Sequence, residues 1–451
     1  RAFAVIAVIV GHFNREILPN GYLGVDIFFV ISGYVITSSL ASKKSLNLWE
    51  FISEFYVRRI KRLIPALIPF VVITSISVCL FDASPSTSLK TGIFSLFGLS
   101  NLYALRCAFD YFAEYTELNV FLHTWSLGVE EQFYFLFPFL VWFSGFNQRK
   151  INGSRNLLLL VIFLSIPSLI SFIYLYQINQ PAAYYLMPTR FWEISIGVII
   201  LLLSKKNISF LEKLKRIPPL ILLFGIILIL KLQISFDALG NILIVLLSSL
   251  LLICLEKKSF IYNLFTRRIM IHIGLISYSL YLWHWSILSI SRWTIGIHWW
   301  SIPFQISLIY FLSVISFQEI EQPLRKIDWH VKKWMHIFIG IFSLCTTSLV
   351  LILLENPFRK LMFLGDKNRI KESLNYELLD IESCSTSRID SFMPNEEIFN
   401  KCWLEAEGRS ENLYAQDTSR VFLYGNSYNI KLIPMLEYLV KNNDGFKYNS
   451  Y

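Results

Sequence analysis

Cysteine is scarce in this chain and spaced wrongly for metal. Six occur in 451 residues, with no Cys-x-x-Cys or other ligand-type spacing, so nothing points to a metal centre. Charge is also sparse. Asp, Glu, Lys and Arg make up 16% of the chain against roughly a quarter in soluble domains, hydrophobic residues reach 55%, and mean hydropathy is +0.52. That excludes an ordinary soluble enzyme and indicates a polytopic membrane protein. No interleaved basic and aromatic patch suits bases, so nucleic acid is not an expected partner. There is no internal repeat, no low-complexity tract and no cleavable signal peptide; the apolar start reads as a first membrane span. The first residue is Arg rather than Met, and the last residues follow a fresh strand–helix unit, so truncation is expected at both ends.

The apolar segments lie near 1–18, 22–40, 63–82, 125–145, 156–176, 188–204, 217–233, 239–256, 270–290, 300–319 and 335–354, which predicts eleven spans. A twelfth candidate, 91–107, is interrupted by Gly98, Ser100 and Asn101. Positive charge arbitrates. Lys43, Lys44, Arg58, Arg59, Lys61 and Arg62 mark a cytoplasmic loop. Basic clusters at 149–155, 205–216, 257–268 and 325–333 fall on the same side only if 91–107 does not cross. That segment is therefore read as re-entrant or interfacial. The N-terminus is then inside and the tail outside. Net charge divides likewise, with +12 over 1–354 and −3 over 355–451. Basic loops on a hydrophobic chain are a mark of topology and anionic lipid.

Beyond Glu355-Asn356-Pro357 the composition turns polar. Val421 to Tyr424 reads as a strand, Gly425 to Asn429 as a turn and Ile430 to Val440 as a helix, the first unit of an α/β domain. Cys384 and Cys402 stand alone in this tail and are a candidate disulfide in an oxidising compartment. Cys79, Cys107, Cys254 and Cys345 lie in or near apolar segments and read as small buried hydrophobes.

Ionisable groups inside apolar helices are functional candidates by default. The leading example is His123 to Tyr134, where Glu130 and Glu131 enter a span and Ser126, Glu130, Phe133 and Tyr134 sit at helical spacing. Arg1 and His12, eleven residues apart, share a helix face. His12 is either a general base or a core histidine bonded to a neighbouring span. Asp26 either orients His12 or caps the second span. Arg58, Arg59 and Arg62 form a ladder that either anchors the inner surface or clamps phosphates, as a nucleotide-bearing acyl donor would require. Arg190 and Glu193 are spaced to pair with each other. His284 sits within an aromatic belt, and Glu321 at the inner end of a span.

Taken in order, these blocks resemble the integral-membrane acyltransferase 3 family, which includes bacterial O-antigen and peptidoglycan O-acetyltransferases. The resemblance covers roughly 1–326. It rests on Arg1…His12, Gly24-Val25-Asp26-Ile27-Phe28-Phe29-Val30-Ile31-Ser32-Gly33, Arg59-x-x-Arg62, Ser126-Leu127-x-x-Glu130-x-x-Phe133-Tyr134, Ser277 to Trp285, and Glu321-Gln322-Pro323-Leu324-Arg325. It implies transfer of an acyl group, usually acetyl, from cytoplasmic acyl-coenzyme A to an extracytoplasmic glycan such as lipopolysaccharide O-antigen, peptidoglycan or exopolysaccharide. By the resemblance His12 is the base, Arg1 its motif partner, Arg59 and Arg62 hold the coenzyme A phosphates, and Glu130 and Tyr134 shape the transfer site. The tail resembles the SGNH hydrolase-like domain fused to some of these proteins, with Ser427 at the nucleophile position. Asn426 and Tyr428 stand where that pattern has Asp and His.

The expected architecture is an α-helical polytopic bundle in the bacterial inner membrane. It comprises a membrane domain over 1–330, an additional span over 331–355, an extracytoplasmic extension over 356–420 and the start of an α/β domain over 421–451. Two rival readings stay open: a transporter or flippase of lipid-linked glycan, and a lipid-to-lipid transacylase that uses no coenzyme A.

Overall fold

The computed structural model describes residues 1–364 except 42–46, 83, 108–117, 205–208, 233–236, 258, 327–332 and 356–361. The expected extension and α/β unit, with Ser427, Cys384 and Cys402, lie outside the described residues.

The described residues are helical and contain no strand. The helices are α1 (Ala2–Phe13), α2 (Gly24–Ala41), α3 (Leu48–Phe81), α4 (Ser86–Leu96), α5 (Ser100–Arg106), α6 (Trp125–Phe143), α7 (Gly153–Ile178), α8 (Gln180–Tyr185), α9 (Met187–Ser204), α10 (Ser209–Leu214), α11 (Pro219–Lys231), α12 (Asp237–Cys254), α13 (Phe260–Phe265), α14 (Arg268–Leu275), α15 (Ser277–Trp293), α16 (Ile302–Ile315), α17 (Gln322–Lys326) and α18 (Lys333–Glu355). A π-helical turn, Ser316–Glu321, joins α16 to α17. Each of the eleven expected apolar segments falls on one of these helices or on a joined pair. Six are long and apolar enough to cross a membrane alone, and α14 with α15, bent by 68°, would make a seventh. Helix α1, with 12 residues, reaches only ~18 Å, short of a ~30 Å hydrocarbon core.

One element differs from the sequence expectation, and a second shows how its expected interruption is built. The span expected at 63–82 is the second half of α3, a 34-residue helix that starts at Leu48, where the Asn47 side chain accepts the Trp49 N–H at 2.9 Å. The basic ladder is thus a stretch of the same rod as the span. The segment 91–107 is two short helices joined at Gly98, which holds a left-handed φ of +66°. Its carbonyl accepts from Gln132 Nε2 at 3.2 Å, and Asn101 bonds both Gln132 and the carbonyl of Tyr185. Protein polar groups thus cover the exposed backbone of this break.

Apolar burial drives little helix association in lipid; close approach and polar contacts do more. α2 packs along α9, and α9 along α7. A Cβ on Gly33 would overlap the carbonyl oxygen of Ile194, and one on Gly197 that of Val30, so the two backbones touch at these glycines. One core cluster gathers Phe70, Phe121, Trp283 and Ile309; another gathers Phe172, Trp192, Ile226 and Val245. α1 contributes Val5 to the first, and Ala4 and Ala7 to the second, so it lies between them. Outward faces are apolar: Leu159, Phe163, Ile166 and Ile170 on α7, and Phe338, Ile341 and Phe342 on α18, are exposed, as a lipid-facing surface requires. Cys345 belongs to this outer surface. It is exposed, whereas Cys79 and Cys254 are buried as expected and Cys107 is intermediate.

Candidate active site

His12 closes α1 and His284 sits midway along α15. Their rings meet with Nδ1 of His12 3.1 Å from Nε2 of His284 and planes 7° from parallel. His284 has no exposed surface, whereas His12 is half-buried. Nδ1 of His284 lies 3.1 Å from the carbonyl of Leu280, one turn back. The Trp285 ring packs edge-on against His12 at 4.6 Å, and Arg292 Nη2 donates to the His12 carbonyl at 2.9 Å. A cation there complements the negative end of α1. His123 meets His284 edge-to-face at 5.6 Å and bonds the Leu282 carbonyl through Nε2. Tyr281 Oη donates to the His123 carbonyl at 2.9 Å and lies 2.7 Å from Ser126 Oγ.

One turn further along α6, Glu130 accepts from Ser32 Oγ at 2.8 Å and from Tyr134 Oη at 3.2 Å. The Arg59 guanidinium stacks on the Tyr134 ring, 3.6 Å from its centroid. Arg62 feels the charges of Arg1, Arg59 and Arg325, and Glu321, turned inward by the π-helical turn, feels Arg62, Arg325 and Arg1. Two polar sets thus follow one another along α6: Arg59, Tyr134, Glu130 and Ser32, then, one turn back, Ser126 and Tyr281 beside the histidines.

The expected residues do not all converge. Arg1 and His12 occupy opposite ends of α1, ~16 Å apart, so Arg1 joins the arginine group and is not part of the imidazole pair. Arg58 is paired with Glu54 at 3.3 Å on a more exposed face. Asp26 Oδ1 accepts from Asn241 at 3.0 Å and lies 3.0 Å from Arg190 Nη2, whereas His284 and Trp285 meet the His12 ring. Arg190 and Glu193 pair at 2.9 Å as their spacing predicts, and Asp26 makes the pair a fully buried trio between α2 and α9.

His123, Ser32, Tyr281, Arg292 and Asn241 were not among the expected site residues. Ser32 and Tyr281 lie inside recognised blocks and His123 opens one, yet nothing local says which face each occupies. Arg292 stands 280 positions from His12 in the chain, and nothing in the sequence joins the two.

Helices with apolar outer faces around a buried set of polar groups and a cationic end define a multi-pass membrane protein. The acyltransferase 3 family model, an acyltransferase domain, matches residues 1–318. The chain belongs to that family. It is similar to "Putative O-acetyltransferase SACOL0978" of Staphylococcus aureus strain COL, 29% identical over 401 residues, covering 80% of this chain and 63% of that protein. It is also similar to the O-acetyltransferase OatA of S. aureus strain NCTC 8325 / PS 47, 31% identical over 395 residues, covering 78% of this chain and 60% of that protein. The chain thus spans less than two thirds of the length of these curated relatives. No solved structure matches it significantly.

Proposed function

We propose that the complete protein is a multi-pass O-acyltransferase of the bacterial cytoplasmic membrane, transferring acetyl from coenzyme A thioester to a hydroxyl of an extracytoplasmic glycan. One observation carries this reading: a half-buried imidazole, backed by a second, stands at one end of α1, and the arginines stand at the other. The family and the relatives named as O-acetyltransferases favour acyl transfer, and acetyl in particular.

Arg59 and Arg62 are of the right type to hold the phosphates of the donor, and Arg1 and Arg325 add charge beside them. The pantetheine arm would bring its thioester along the polar sets of α6 toward His12. There His12 takes the proton of the acceptor hydroxyl as its oxygen attacks the thioester carbonyl carbon. The C–O bond forms, the C–S bond breaks and His12 returns the proton to the departing thiolate. Glu130, held by Ser32 and Tyr134, shapes the middle of the route. The N-terminus is inside and eleven crossings place the tail outside. In a two-stage route Ser427 of an SGNH-like domain accepts the acyl group before the glycan does, and Cys384 and Cys402 brace that tail.

The test measures ester content of surface glycans in cells lacking the protein and complemented with full-length wild type, His12→Ala or Ser427→Ala. Loss of ester with His12→Ala at equal membrane expression is expected. Full acylation by that variant would remove His12 as the base and favour a transport role.

A further inference from the structure

We infer that α15 decides which nitrogen of His12 is the base: His284, tied to the Leu280 carbonyl, fixes His12 with its proton on Nδ1 and its lone pair on Nε2. A carbonyl only accepts, so the 3.1 Å contact to Leu280 requires the hydrogen of His284 to be on Nδ1. A neutral imidazole carries one N–H, so Nε2 of His284 is an acceptor. The 3.1 Å contact to His12 Nδ1 then requires the hydrogen between them to belong to His12. Neutral His12 keeps no proton on Nε2. A charged His284 would donate from both nitrogens; His12 would spend its only lone pair on that bond and present an N–H outward, the opposite of a base. Arg292 at the His12 carbonyl and the Trp285 edge on its ring keep the imidazole in place, so one helix supplies the tautomer, the orientation and the packing. His284 is thus a positioning residue. Its catalytic consequence rests on the acyltransferase reading; the tautomer does not.

The experiment is solid-state NMR of the full-length protein in bilayers with 15N-labelled histidine, the His12 signals being those lost in His12→Gln. Wild type is expected to show His12 protonated at Nδ1 and bare at Nε2. His284→Gln, whose amide oxygen can accept from Nδ1, should keep that state. His284→Phe, similar in ring shape but without an acceptor, should lose it and lower kcat about 100-fold with KM little changed, within the range of a lost or misplaced general base. A proton on His12 Nε2 in wild type, or a His12 tautomer unmoved by His284→Phe, overturns the inference. The inferred tautomer together with full activity of His12→Ala upholds it and overturns only the assignment of the base.

Discussion

Arg190 faces two carboxylates, Asp26 and Glu193, and none of the three has exposed surface. The rings of Phe29, Trp125, Phe172 and Tyr184 surround its guanidinium, Tyr184 nearest at 4.9 Å. Removing the cation from such a group leaves two carboxylates in an apolar sheath. Breaking a buried ion pair costs about 3–5 kcal/mol, whereas replacing all partners by uncharged groups can be close to neutral. Arg190→Leu is therefore expected to lower thermal stability sharply in detergent, and adding Asp26→Asn and Glu193→Gln to recover most of the loss. An unchanged melting temperature in Arg190→Leu would show that the trio does not hold α2 to α9. Sequence spacing revealed the Arg190–Glu193 pair, being three residues apart on one helix. It could not reveal Asp26, 164 positions away in the chain.

Helices α2 and α9 meet because glycine lets them. Gly33 and Gly197 each stand where a Cβ would strike the other helix's backbone, and the ion trio sits on the same seam. Gly197→Leu is expected to push the helices apart, at a cost of about 1–3 kcal/mol from overpacking, and to separate Asp26 from Arg190. The check is a pair of cysteines placed across the seam in a cysteine-free protein, whose cross-linking should fall in the Gly197→Leu background. Undiminished cross-linking would mean that the seam absorbs the added side chain. Helix α3 makes a different point. The sequence splits it into a charged half and an apolar half, yet 34 residues form one rod. The same rod carries Arg59 and Arg62 and contributes Phe70 to the core beside His123.

At the scale of the whole molecule, the proposed orientation of the bundle rests on its positive loops. In a cysteine-free background, a cysteine at Glu16, just after His12, is expected to react with impermeant maleimide in intact cells. One at Arg268, in the basic cluster at the start of α14, should react only after permeabilisation. Both positions are exposed in the fold, so access and not burial decides. The reverse pattern would invert the orientation and put the arginine end outside, where no cytoplasmic donor could reach it. Much of the architecture was legible at this scale, since apolar run length and a break at Gly98 are local properties. The number of crossings was less so: α1, α11 and α12 are apolar helices of 12, 13 and 18 residues, and α14 and α15 bend by 68° at their joint.

By itself the sequence determined that this protein is a helical membrane chain, where its apolar stretches run and which ionisable residues intrude on them. Those facts depend on hydropathy, spacing and the cost of charge in hydrocarbon, all of which are counted along the chain. Apart from Arg190 and Glu193, neighbours on one helix, tertiary structure alone decided which intruders meet. His12 finds His284 across 272 positions, Glu130 finds Ser32 across 98, and Arg1, placed beside His12 by helical phase, ends a helix length away. A helix fixes the face and height of a side chain, but only the packing of one helix against another fixes its partner.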